Sequence, residues 1–156
     1  MTHITRSARP SSAGFSLVEL MVSITIATTL ATIAIPSYIQ QIRQSRHMEA
    51  RAAVLELAAR EERFFSTNSA YTTAPAKLGY SGEFPQVTGS GYYQLSVCVA
   101  AALPCGTGNA TSGNAYFITA TPVGSQKADT QCTAFSLDST GVQSATGTTA
   151  ATCWIR

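Results

Sequence analysis

A single apolar run dominates the first quarter of the chain. Residues 15–35 carry no charged side chain except Glu19, and the six Ser and Thr hydroxyls among them are expected to bond to carbonyls one turn earlier. These 21 residues, each rising about 1.5 Å in an α-helix, are long enough to cross a hydrocarbon core about 30 Å thick. A buried core helix of a soluble protein fits less well, because such helices rarely keep so long an apolar run. The run therefore predicts a membrane-spanning helix.

A second helical pattern follows Pro36 and extends over residues 36–66. Apolar residues recur there in steps of three and four, as at Ala50, Val54 and Leu57, while Arg and Glu side chains occupy the other faces. Pro36 has no backbone donor and is able to kink or interrupt a helix. We expect an amphipathic helix that packs its apolar stripe against the globular head, the region beyond residue 66, rather than against a separate partner.

The C-terminal part alternates in the manner of β-strands. Residues 67–91 contain four Gly, two Pro and one Asn and predict a connecting loop. Alternating patterns at 92–99, 116–121 and 133–137 then predict strands, with a turn at 138–141, a returning segment from Val142, and an edge at the C-terminus. The pattern predicts an α+β fold, in which a long N-terminal α-helix packs with its amphipathic half on an antiparallel sheet within residues 92–156.

Charge and titratable residues narrow the range of functions that the chain is expected to have. The chain has 10 Lys and Arg against 8 Asp and Glu, which gives no general reason to expect a polyanionic partner. Beyond residue 66 the only cations are Lys77, Lys127 and Arg156, too few for a basic patch, so nucleic acid is not favoured as a partner. That region also has no His for general acid-base chemistry. We expect no enzymatic activity and no cofactor.

Four cysteines allow three disulfide pairings, and the sequence alone does not choose among them. Cys98 and Cys105 flank a short connection, which suggests that they pair. Cys132 with Cys153 would then close the last strands, with a stabilisation of about 3 kcal/mol from chain entropy. A zinc site is the competing use of four cysteines, but the chain has no C-x-x-C pair, and we expect no metal. Disulfides indicate that the head lies in an oxidising compartment.

The N-terminal residues 1–14 are polar and contain two Arg, like the charged start of a signal peptide. The small residue expected at a cleavage site stands before the apolar run, at Gly14, rather than after it. A cut there would create an α-amino group at Phe15. Because a carboxylate in lipid costs about 2.5–3.5 kcal/mol, Glu19 needs a partner, and the amine of its own or a neighbouring chain would supply one.

The sequence GFSLVE at 14–19, the apolar run and AIPSY at 34–38 resemble the N-terminal signal of type IV prepilins. This resemblance implies cleavage after Gly14 by prepilin peptidase and methylation of Phe15. It implies that Glu19 and Pro36 act in assembly, and that the fold is the pilin fold. The chain would divide into a leader (1–14), a membrane and filament-core helix (15–35), an amphipathic helix (36–66), a loop (67–91) and a sheet (92–156).

The head resembles one branch of this family, the PilE-like minor pilins, through EERFF at 61–65, LGY at 78–80, TATP at 119–122 and the terminal CW at 153–154. The resemblance implies a structural subunit of type IV pili needed for pilus assembly and pilus-dependent motility or adhesion. Its partners would be other pilin subunits, prepilin peptidase, the assembly machinery and inner-membrane lipid. Before assembly it would cross the bacterial inner membrane once with a periplasmic head, and afterwards it would lie in an extracellular pilus. The alternatives are a type II secretion pseudopilin and a pilin that acts as a DNA-uptake receptor.

Overall fold

The computed structural model describes residues 14–100 and 112–155. A single helix, α1 (Leu17–Asn68), contains Pro36 in its interior and continues through it. The chain divides into two compact units, residues 1–39 and 40–156. The first unit contains the apolar part of α1. This part includes a stretch that is long and apolar enough to cross a membrane, and no residue of that stretch is buried. The second contains the rest of α1 and all strands.

Seven strands follow α1 in the described residues. Five of them form an antiparallel sheet in the order β2-β3-β5-β6-β7, and β1 pairs separately with β4. The strands are β1 (Tyr71–Thr72), β2 (Gln86–Val87), β3 (Tyr93–Ala100), β4 (Ser112–Gly113), β5 (Ala115–Pro122), β6 (Ala134–Asp138) and β7 (Gln143–Thr146). The fold class predicted from the sequence, one long helix with a C-terminal antiparallel sheet, is confirmed.

The core of the second unit lies between α1 and the five-stranded sheet. Buried positions recur on α1 in steps of one, three and four, and they bring one stripe of the helix into the core, as the sequence pattern predicts. Residues at every second position of β3 and β5 face it, including Tyr93, Leu95 and Val99 from β3 and Ile118 and Ala120 from β5. The register pairs Leu95 with Ala120 and Val97 with Ile118.

Two local predictions differ from the structure. The predicted loop at 67–91 contains the short strands β1 and β2 and a 3₁₀ helix at Pro75–Leu78. Two-residue strands of this kind carry no period that a sequence pattern can reveal. The C-terminus forms a 3₁₀ helix at Ala150–Thr152 and a turn instead of an edge strand. The Ser/Thr/Ala composition there has no alternation of polar and apolar side chains to favour a strand.

Candidate functional site

The predicted processing site lies just ahead of α1. Residues 14–16 have no regular secondary structure, and the helix begins at Leu17. The Phe15 side chain is 74% exposed. Proteolytic cleavage favours exposed, unpaired backbone near chain termini, and the peptide bond between Gly14 and Phe15 meets this requirement.

Glu19 lies in the first turn of α1, where a negative charge is favoured by the helix dipole. Its side chain is exposed among exposed apolar neighbours such as Val18 and Leu20. Among the described residues its carboxylate has no ion-pair or hydrogen-bond partner. Within the part of the chain that the structure describes, this charge is therefore uncompensated, although it lies in the most apolar segment.

Five of the six hydroxyls of the apolar segment are satisfied inside the helix, as predicted; the sixth, Ser16, lies ahead of the first helical residue. These five donate to carbonyls three or four residues earlier, at 2.7 to 3.0 Å: Ser23, Thr25, Thr28, Thr29 and Thr32. These bonds lower the polarity that the side chains present to a hydrocarbon environment. Glu19 is therefore the one strongly polar side chain of this segment for which the cost of transfer into a hydrocarbon environment is not reduced.

Arg60 anchors the connection between α1 and the sheet. Its guanidinium donates to Glu56 Oε1 at 2.6 and 3.1 Å and to the carbonyls of Leu78 and Gly79 at 2.7 and 3.2 Å. It also lies 4.5 Å from the centre of the Tyr80 ring. This one side chain ties the 3₁₀ helix at Pro75–Leu78 to α1.

A second contact ties the connection to α1 at a point just before the start of β3. Glu49 accepts hydrogen bonds from the Ser90 backbone N–H at 2.9 Å and from the Ser90 hydroxyl. Partial burial opposes the ionisation of Glu49, but the bonds from Ser90 outweigh it and lower the pKa of this carboxyl. Between these anchors, a groove of 280 Å³ runs beside α1, lined by Ala52, Ala53, Val87, Leu95 and their neighbours.

The C-terminal segment is closed by the Cys132–Cys153 disulfide, whose Cα atoms lie 5.8 Å apart. Cys98 is disulfide-bonded as well, and Cys105, its predicted partner, lies outside the described residues. Next to the first bridge, Trp154 Nε1 donates to the Ser144 carbonyl of β7 at 2.7 Å, and Arg51 donates to the Trp154 carbonyl at 3.0 Å. The C-terminus is thereby held to the sheet edge and to α1.

A buried polar cluster, missed by the sequence analysis, links α1 to the segment after β5. His47 Nε2 lies 2.5 Å from Asp129 Oδ2, and both side chains are buried. Asp129 also accepts from the Gln126 side chain at 3.1 Å and from the Gln131 backbone N–H at 2.9 Å. The signal was present, because His47 precedes Ala50 by three residues and thus continues the buried stripe. The helical spacing of His47, and not its hydropathy, carries this signal.

Arg46 lies beside this cluster and forms part of the surface. Its guanidinium carbon is 3.5 Å from the centre of the half-buried Tyr92 ring, and its Nη1 donates to Gln126 at 3.2 Å. Lys127, next along the chain, is exposed. An Arg stacked on an aromatic ring presents a planar cation beside an apolar face.

The described residues hold no group of three His, Cys, Asp or Glu side chains that could bind a metal ion. The cavity beside His47 has a volume of only 20 Å³, too small for an organic substrate. The geometry gives the His47–Asp129 pair a structural role, which joins two elements of the head.

Two family models match adjacent parts of this chain. Residues 9–35 match the prokaryotic N-terminal methylation motif. Residues 36–136 match the model described as type IV minor pilin ComP, DNA uptake sequence receptor. Together they cover the apolar helix and most of the head, including Glu19 and the Arg46–Tyr92 pair.

Individual proteins are similar over smaller shares. The type IV major pilin protein PilA of Myxococcus xanthus is 34% identical over 74 residues, which are 47% of this chain. The matched segment spans 34% of the length of that relative. A solved type IV pilin from Shewanella oneidensis is 23% identical, covers 65% of this chain and 89% of its own, and superposes with a TM-score of 0.44.

Proposed function

This chain belongs to the type IV pilin family and is a structural subunit, and on that premise we propose that it is a minor pilin needed for pilus assembly. Subunits of this family assemble with other pilins into a filament. We further propose that the filament serves motility or adhesion. The observation that carries the proposal is the exposed Glu19 on an apolar helix, which has no partner among the described residues and follows a segment suited to cleavage.

Processing is proposed to occur between Gly14 and Phe15 by prepilin peptidase, with methylation of the new terminal amine. The exposed, non-helical backbone of residues 14–16 supports this assignment. After the cut, the Phe15 amine would be a cation at the same membrane depth as Glu19. A bacterial inner membrane would hold the subunit before assembly, with its disulfide-bonded head in the periplasm.

Assembly is proposed to pair Glu19 of one subunit with the Phe15 amine of its neighbour. Inside a filament core the dielectric constant is low, so an uncompensated carboxylate is costly and a correctly placed amine selects the register. Pro36 is proposed to assist by locally weakening α1, since it removes the helical bond to the Thr32 carbonyl. The neighbouring subunit would thus supply the partner that Glu19 lacks among the described residues.

The first experiment is the intact mass of the protein in surface filaments sheared from the native host. We expect a chain that begins at Phe15, carries one methyl group and lacks four hydrogens because of two disulfides. A scarce component would support the minor role, and an abundant one would identify a major subunit. Retention in the membrane fraction with absence from filaments would favour the secretion pseudopilin instead.

The second experiment compares Glu19→Ala with Glu83→Ala, a change at an exposed head carboxylate. Glu19→Ala should leave the head folded and its disulfides formed but remove most of the subunit from sheared filaments. Glu83→Ala should incorporate normally. Normal incorporation of the Glu19 variant would refute the charge-pair mechanism without affecting family membership.

DNA uptake is a second candidate, supported by the description of the matching family model and by the Arg46–Tyr92 surface. An Arg with an adjacent aromatic face suits phosphate contact and base stacking. Fluorescence anisotropy with labelled duplex DNA tests it. Arg46→Gln should weaken binding and reduce the salt slope by about 1, whereas Arg63→Gln should not. Absence of salt-dependent binding by the native protein would exclude this candidate.

A further inference from the structure

Glu61 is a fully buried acid on α1 with an incomplete set of hydrogen bonds. Its side chain has no solvent exposure. One oxygen, Oε2, accepts from the Thr72 backbone N–H at 3.1 Å, while Oε1 has no partner among the described residues. Buried carboxylates normally accept several donors, because an ionised group without them is costly in a low dielectric. This site therefore disfavours the ionised form.

The groups around Glu61 offer no positive charge. The titratable neighbours that act on it or feel its charge are Glu62 on the same helix, Tyr71 from β1 and Tyr116 from β5. The Tyr71 hydroxyl donates to Glu62 at 3.0 Å, so this donor is already engaged elsewhere. In the described part of the chain, no Lys, Arg or His contributes to the electrostatics of Glu61. Ionisation would place two adjacent carboxylates beside three aromatic rings.

The bond from Thr72 connects the charge state of Glu61 to a short element. Strand β1 has two residues, and among the described strands it pairs with the two residues of β4. Tyr71 covers an aromatic cluster, in which its ring stacks on Phe65 at 4.5 Å and meets Tyr116 edge-on at 4.8 Å. If β1 moves, Glu61 gains water and the aromatic faces become exposed.

We propose that Glu61 is a proton-operated latch on β1. With the carboxyl neutral, β1 stays closed over the cluster of Phe65, Tyr71 and Tyr116. With the carboxylate ionised, hydration of the charge favours release of β1 and exposes an aromatic surface on the head. This device is separate from the pairing of Glu19 and would operate in a subunit before or after assembly.

The direction of the pH effect follows from linkage. Burial raises the pKa of Glu61 to about 7, and the charge of Glu62 adds to this, against the opposing bond from Thr72. In the open segment the pKa returns to its ordinary value of 4.5. The closed form therefore binds the proton more tightly, and opening becomes easier as the pH rises from 4.5 to 7. Between pH 5 and pH 8 the opening constant should increase roughly 70-fold.

Hydrogen exchange of the full processed chain in detergent micelles tests the latch. Protection factors, corrected for intrinsic exchange, are measured by mass spectrometry from pH 5 to pH 8 for a peptide covering residues 69–74. A peptide from the central strand β5 serves as the internal reference. We expect protection of the 69–74 peptide to fall by roughly the same 70-fold, and that of β5 to change far less.

Two matched variants assign the effect to Glu61. Glu61→Gln keeps the size and the acceptor for Thr72 but removes the ionisation, so its protection should be independent of pH. Glu62→Gln should retain the pH dependence with a lower midpoint, because the neighbouring charge is gone. If Glu61→Gln does not fold, titration of the assigned ¹³C carboxyl of Glu61 in the native chain replaces it. Constant protection in the native chain, persistent pH dependence in Glu61→Gln, or a carboxyl midpoint near 4.5 would each overturn the latch.

Discussion

At the scale of single residues, two polar side chains within the buried face of α1 matter most in this protein. His47 and Glu61 both belong to the buried stripe. Their environments differ, because His47 has a carboxylate partner, whereas Glu61 has one donor and no cation in the described part of the chain. The first therefore stabilises the head, and the second responds to the proton concentration.

Asp129 gathers three donors from three positions of the head, so its loss should be severe. Asp129→Ala leaves His47, Gln126 and the Gln131 N–H without their acceptor in a buried site. We expect the free energy of unfolding to fall by about 3–5 kcal/mol, measured by urea denaturation. Glu83→Ala, at an exposed position, should change it by less than about 0.5 kcal/mol. Equal effects of the two variants would contradict the role of the cluster.

Arg60 makes its contacts through the shape of its guanidinium. Arg60→Lys keeps the charge but cannot reach Glu56 and the two carbonyls at once. We expect a loss of about 1–2 kcal/mol in the local opening free energy at Pro75–Leu78, measured by amide exchange. Arg63→Lys is the control, because the Arg63 side chain is exposed and makes no hydrogen bond within the described residues. Unchanged protection in Arg60→Lys would show that other contacts hold the segment.

At the scale of elements, two contacts fix the C-terminal turn to the edge of the sheet. The C-terminal turn reaches β7 through Trp154, while Cys153 reaches back to Cys132 just ahead of β6. This arrangement covers part of an edge strand, which would otherwise offer unpaired backbone groups to other chains.

The Cys132–Cys153 bridge should contribute measurably to this closure. Its sequence separation is 21 residues, for which the loss of loop entropy in the unfolded chain predicts a stabilisation of about 3 kcal/mol. The double variant Cys132→Ser, Cys153→Ser should show that decrease in chemical denaturation and increased exchange in β7. A decrease below about 1 kcal/mol would mean that the Trp154 and Arg51 contacts hold the terminus by themselves.

At the scale of the whole molecule, carboxyl groups whose pKa values are shifted in opposite directions predict a maximum of stability at mildly acidic pH. Glu49 and Asp138 have lowered pKa values, because hydrogen bonds from Ser90, and from Thr140 and Val142, outweigh partial burial. Their contributions are present above the ordinary pKa and are lost as the pH falls through the lowered folded values. Glu61 has a raised pKa, so its contribution is complete below 4.5 and is lost as the pH rises to about 7.

Urea denaturation from pH 3 to pH 8 should therefore give a stability maximum near pH 5. On the alkaline side the decrease should reach at most about 3 kcal/mol, set by the pKa difference of Glu61. Glu61→Gln should remove this decrease and leave the acidic side unchanged. A stability that stays constant between pH 5 and pH 8 would contradict the buried state of this carboxyl.

The sequence by itself determined the class of fold, because long periodic patterns report burial directly. The apolar run, the amphipathic stripe around Val54, and the alternation in β3 and β5 each repeat often enough to identify an element. The sequence also singled out Gly14, Phe15 and Glu19, because their order along the chain forms a recognisable motif. Their roles in processing and assembly remain predictions.

The tertiary structure alone decided how distant polar residues combine. His47 meets Asp129 across 82 positions, Arg51 meets the Trp154 carbonyl across 103, and Glu61 is left with a single donor. No local pattern encodes such contacts, because each depends on which face of α1 the sheet covers and where the chain returns to it. Burial by tertiary packing gives a charged residue its partner or withholds one, and so determines whether it stabilises the head or senses pH.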